Sequence, residues 1–168
     1  MRSRPAAKPR VRSAAPAPGE SLADAVARCG RDGEFLRQLR EIHGCADARA
    51  AALGAVCLGG GACCKFDRTG HRLYLSTGEL ALLTLEPPPD PAHIARGRCP
   101  YQVGPRCVAR RRRPLGCRMY FCRKSLRPAL QDTYEHLHRR VVSAHQSHSL
   151  PYAYVELTTS LSQLHFLG

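Results

Sequence analysis

The chain has no stretch approaching the roughly 18 consecutive apolar residues that a membrane span needs. No apolar run follows its basic N-terminus as a signal peptide would require, so a cytosolic protein with no membrane partner is expected. Acidic residues are scarce: 13 Asp and Glu stand against 26 Lys and Arg, a formal charge of +13. Phosphate-loop chemistry is excluded as well. The run Gly59-Gly60-Gly61 lacks a Gly-Lys-Ser/Thr ending and a preceding apolar strand, and no glycine-rich cofactor fingerprint follows a strand elsewhere. The basic run at residues 110–113 carries none of the interleaved aromatics that single-strand nucleic-acid binding uses.

What the chain does have is cysteine. Seven of its nine cysteines fall within residues 57–122 in three groups: Cys57/Cys63/Cys64, Cys99/Cys107 and Cys117/Cys122. In a reducing compartment such clusters serve as metal ligands or redox groups more often than as disulfides, and an odd total would leave one cysteine unpaired. Thiolates are soft donors that favour zinc, copper(I) or iron–sulfur clusters. A free thiol titrates near 8.5, so holding one ionised at pH 7 costs about 2 kcal/mol, and seven cost on the order of 14. A bound metal offsets that cost, and seven thiolates with two zinc ions would carry a charge of about −3. Part of the chain's basicity therefore balances its own site. The rest, concentrated at the N-terminus and in residues 106–127, is the candidate surface for an anionic partner or nucleic acid.

Residues 1–20, rich in Pro, Ala and Arg, read as a solvated basic tail, and residues 21–168 as a single domain. Leu22, Val26 and Cys29, then Phe35, Leu36, Leu39 and Ile42, repeat at helical spacing around Gly30 and Gly33, which predicts two short helices with Cys29 buried. A further helix is expected over residues 46–56. Cys45, after Gly44, is either a helix-end residue or an additional ligand. The glycine run before Cys63 must be a tight loop whose N–H groups can face thiolate sulfurs.

Residues 71–75 alternate, with Leu73 and Leu75 on one face and Arg72 and Tyr74 on the other, a strand pattern. Ser76 and Glu79 then form a capping box for a helix that Pro87-Pro88-Pro89 ends. Residues 87–97 form a polar connection returning Cys99 to the site. His71 and His93 lie near enough in sequence to be candidate ligands, although ordinary surface histidines are the plainer expectation. The four arginines before Pro114 make a surface loop or charged rim. Arg113 and Arg118 could donate to cluster sulfurs or to an anionic ligand, or be surface arginines that balance charge. Leu130, Tyr134, Leu137, Val141 and Ala144 predict an amphipathic helix over 128–147, decorated by His136, His138, His145 and His148. Residues 152–157 alternate as a short strand. The fold class expected is α+β: a small cysteine-rich, metal-stabilised domain with mainly helical segments and short strands.

With these pieces placed, the chain resembles the YkgJ-like cysteine-cluster proteins, a zinc- or iron-chelating family with a C-x-x-C-x-x-C-C signature. Here the signature reads Cys57-Leu-Gly-Gly-Gly-Ala-Cys63-Cys64, with Gly60 where the second cysteine would stand. The later elements match more fully: Ser76, Glu79 and Leu80 after the pair, then Cys99-Pro100, Cys107, and Arg113-Pro114-x-x-Cys117-Arg118-x-Tyr120. The resemblance covers most of residues 34–157. It implies a metal site, zinc or iron or an iron–sulfur cluster, held by Cys57, Cys63, Cys64, Cys99, Cys107, Cys117 and Cys122, with Cys122 compensating for Gly60. Flagellin lysine N-methylases look similar in the same region, which leaves open whether the scaffold is an enzyme.

Overall fold

The computed structural model describes residues 19–165. Up to residue 18, the tail expected over 1–20 lies outside the described residues. Helix α1 (Leu22–Arg31) starts where the Ser21 hydroxyl accepts the Asp24 N–H. Asp32 both ends α1 and begins α2 (Gly33–Ala52), its carboxylate accepting the Phe35 N–H at 2.9 Å. The helices expected on either side of Gly44 are therefore one. Gly44 meets nothing within 4 Å, and no proline or cap interrupts the chain there. Phe35, Leu39, Ile42, Ala46 and Ala50 form a single buried stripe along α2.

A 3-10 turn (Ala62–Cys64) and the short helix α3 (Phe66–Thr69) follow the glycine loop. Strand β1 (Tyr74–Ser76) runs directly into α4 (Thr77–Leu83) through the expected capping box, in which Ser76 and Glu79 satisfy each other's backbone N–H. The strand starts later than the alternation suggests, but its faces are as expected: Leu73 and Leu75 buried, Arg72 and Tyr74 exposed. The connection to Cys99 contains one helical turn, α5 (Ala92–Ala95). A minimal hairpin, β2 (Gln102–Val103) and β3 (Arg106–Cys107), leads to α6 (Leu115–Arg118). The long helix α7 (Arg127–Ser147) buries Leu130, Leu137, Val141 and Ala144 as its periodicity predicts.

Strand β4 (Tyr154–Glu156) pairs antiparallel with β1, Leu75 opposite Val155. It is followed by α8 (Leu157–His165), a helix the sequence pattern did not suggest. Helices α1 and α4 pack together, as do α2 and α7, and all four contribute to the buried core. The fold is thus mixed, helical with short strands in two small sheets. Among the described residues, no helix is long and apolar enough to cross a membrane.

Candidate metal centre

Five cysteines, Cys63, Cys64, Cys99, Cys107 and Cys117, line one cavity of about 600 Å³. They arrive from four separate segments: the Ala62–Cys64 turn, the stretch leading into the hairpin (Cys99), strand β3 and helix α6. Hydrogen bonds hold these segments together. The Cys99 N–H donates to the Cys64 carbonyl at 2.9 Å, and the Gln102 side-chain Nε2 donates to the Gly61 carbonyl at 3.0 Å. Gly61 sits at φ +66°, and a Cβ there would collide with Gln102 Nε2 and approach the Pro105 carbonyl to 2.9 Å. Only glycine lets the loop seat against the hairpin so closely.

Cys63 and Cys64 place their sulfurs 3.9 Å apart. Hydrogen bonding from Cys64 and burial both push the Cys63 thiol well above its ordinary range. Cys64, favoured toward ionisation by Cys63 but opposed by Cys99 and burial, is pushed up to about 12. Burial and the neighbouring Cys64 and Cys107 raise Cys117 strongly, and burial raises Cys107. The Arg113 guanidinium is close enough to Cys63, Cys107 and Cys117 to work against these shifts. Without a cation, these four thiols are therefore neutral at pH 7. Only a strong Lewis acid would drive their protons off.

All nine cysteines are free. Cys57 and Cys122 are exposed and do not line the cavity. Gly60 likewise stands in open space, with nothing within 4 Å of a Cβ. Cys29 is fully buried on α1, as expected. Cys45 lies inside α2 rather than at its end, exposed, with the Arg140 guanidinium 3.5 Å from its sulfur and away from the other thiols. His71 does line the cavity, its Nδ1 2.7 Å from the Thr69 hydroxyl and its ring stacked on Tyr120. His93 is engaged elsewhere, by the Cys99 carbonyl and Asp90. The histidines of α7 are not gathered at one point: His138 meets the Tyr152 hydroxyl, His148 meets Asp32 and Gln38, and His145 is buried against Phe35 and Tyr152.

The donor set of the cavity, thiols with no carboxylate among its lining residues, fits a thiophilic ion rather than a hard one. Among the described residues, no group of three or more His, Cys, Asp or Glu side chains is already arranged so that it could hold a metal ion.

Arg118 is placed otherwise than its position after a cysteine suggests. It is 5% exposed and neither contacts sulfur nor lies at the surface: its guanidinium donates to the Arg111 carbonyl at 2.7 Å, the Arg113 carbonyl at 2.8 Å and the Asp47 carboxylate. It clamps the arginine loop onto α2. Arg112 is likewise paired, with Glu86.

A second support was not apparent from sequence beyond the capping box. Glu79, 2% exposed, accepts from the Ser76 N–H and hydroxyl at 2.9 and 3.0 Å, from the Leu115 N–H at 2.7 Å and from His43 at 3.3 Å. Burial pushes its carboxyl up, but His43 and the two N–H groups together outweigh burial and hold it down at about 2. The first amide of the helix carrying Cys117 is thereby tied to the core. The aromatic and basic wall of the cavity, including Arg72, Tyr74, Arg127, Tyr134 and Tyr154, was missed too. The one available signal was the outward face of β1, where Arg72 and Tyr74 alternate with buried leucines.

Comparison of the chain with protein-family models, with curated proteins and with solved structures found no match.

Proposed function

We propose that this chain is a metal-binding protein that coordinates zinc, iron or an iron–sulfur cluster through cysteine thiolates, drawn from Cys63, Cys64, Cys99, Cys107 and Cys117, and that it belongs with the YkgJ-like cysteine-cluster proteins it resembles. The observation that carries this is the convergence of five thiols from four segments on one cavity free of carboxylates. Burying several thiols together has little structural advantage over burying apolar side chains, whereas soft-metal ligation requires such a donor set. When bound, the metal supplies the positive charge that keeps the thiols ionised and cross-links the four segments. Arg113, beside three of the thiols, balances the excess thiolate charge. A reducing compartment such as the cytoplasm, which keeps cysteines free, suits this chemistry.

The test is anaerobic purification followed by elemental analysis and an absorption spectrum. At least one equivalent of metal per chain is expected, colourless for zinc and brown for an iron–sulfur centre. Cys64→Ser, at the centre of the thiol group, should lose that metal, whereas Cys57→Ser and Cys122→Ser should keep it. Wild-type protein without stoichiometric metal, or a C64S variant that retains it fully, overturns the proposal.

A polyanion-binding module is the second alternative, favoured by the exposed Arg106, Arg110 and Arg111, which have no carboxylate partner among the described residues. It predicts steeply salt-dependent binding to nucleic acid.

A further inference from the structure

The thiols occupy only part of the cavity wall, and what faces them has a chemistry of its own. Aromatic rings dominate, and two of the pairs are close to parallel: His71 on Tyr120, with centroids 4.9 Å apart, and Tyr74 on Tyr154, 5.5 Å apart. Tyr134 joins the second pair through a hydroxyl–hydroxyl hydrogen bond to Tyr154. Flat rings set in this way offer faces to another flat ring. A volume near 600 Å³ falls in the range of small-molecule pockets, and the combination of apolar lining with a few fixed polar groups is typical of them.

The charge is one-sided. Arg72, Arg113 and Arg127 line the cavity, and no aspartate or glutamate does. Five arginines elsewhere are paired: Arg28, Arg98, Arg112 and Arg118 each meet a carboxylate, and Arg37 meets two. Arg113 is engaged electrostatically by the thiols. Arg72 and Arg127 have neither a carboxylate nor a hydrogen-bond acceptor among the described residues. Two cations at the edge of an aromatic chamber suit an anionic head on a flat apolar body, because guanidinium groups bind carboxylates with matched geometry.

We propose that this chamber binds a small aromatic carboxylate, its ring between the aromatic side chains and its carboxylate toward Arg72 and Arg127. The site rests on the metal-centre proposal for one wall, the thiols, and places the ligand beside whatever those thiols hold.

The test is isothermal titration of the protein, as purified anaerobically, with 2-naphthoate, and separately with the neutral 2-naphthamide. Metal content is measured on the same samples. One-to-one naphthoate binding with a Kd below about 1 mM is expected, with the amide at least about fivefold weaker. The double variant R72Q/R127Q should weaken naphthoate by at least about fivefold and leave the amide unchanged. Both side chains are exposed and unpaired, and circular dichroism confirms that the variant is folded. No naphthoate binding at about 1 mM, equal binding of acid and amide, or an unaffected double variant overturns the proposal. The acid–amide comparison in wild-type protein decides the matter even if the variant misfolds. Naphthoate binding by metal-free protein would refute the metal centre alone, and metal without naphthoate binding would refute the chamber alone.

Discussion

Glu79→Gln removes one negative charge from the core while keeping the size of the side chain, and the structure sets the consequence. The folded carboxyl is held at about 2 against an ordinary 4.5, so its ionised form contributes about 3 kcal/mol of stability at neutral pH. Glutamine forfeits that. Its amide NH₂ must also face either the Leu115 N–H or the Ser76 N–H, leaving a buried donor against a donor. A loss of about 3 kcal/mol is therefore expected at pH 7. Because the folded value is depressed, the contribution is complete above about 4.5 and fades as pH falls toward 2. About 1 kcal/mol of the difference between wild type and E79Q should be gone by pH 3.5. Urea unfolding of both proteins at pH 7 and pH 3.5, followed by far-UV circular dichroism, measures it. Effects common to both proteins, including any loss of metal in acid, cancel in the difference. A difference below about 1 kcal/mol at pH 7, or one that does not shrink in acid, would refute the assignment of Glu79 as an ionised buried anchor.

His145 is fully buried, and burial lowers it from 6.5 to about 4. The unfolded chain binds its proton first, so about 2 kcal/mol of stability should disappear between pH 7 and pH 5. In His145→Met that slope in the urea midpoint should flatten, whatever the variant's absolute stability. Gly61→Ala forces a side chain into left-handed backbone and against the hairpin, and should lower stability by about 2 kcal/mol in thermal unfolding. Gly60→Ala, in open space, should stay within about 0.5 kcal/mol of wild type.

What could be read from the sequence was local. The capping box at Ser76 and Glu79 and the stripe on α7 each depend on residues three or four apart, and both formed as expected. The α2 helix was divided because Gly44 reads as a breaker, yet an exposed glycine costs a long, well-packed helix only about 1 kcal/mol. Helix α8 was missed because its Thr-Thr-Ser start looks like a loop. Its N-terminal N–H at Thr159 is capped by Glu156 from β4, a pairing visible only once the strand is placed. Cysteine spacing identified the segments that meet at the cavity. It could not indicate that Cys57 and Cys122 lie outside, because that depends on which way an exposed loop turns. Arg118 was misjudged for a related reason: its partner Asp47 is 71 residues away on α2, and no short motif encodes the contact.

The pairing of β1 with β4 joins residues about eighty positions apart, Leu75 with Val155. During synthesis, at roughly 5–20 residues per second, the ribosome needs roughly 5–20 seconds to reach Val155 after Cys63 has been made. Until then Tyr74 has no strand opposite it, and Tyr134 and Tyr154 cannot complete the wall that faces the thiols. Every cysteine of the cavity is thus translated before the chamber can close. On the proposed metal-binding reading, metal loading and thiol oxidation compete for that open, nascent chain.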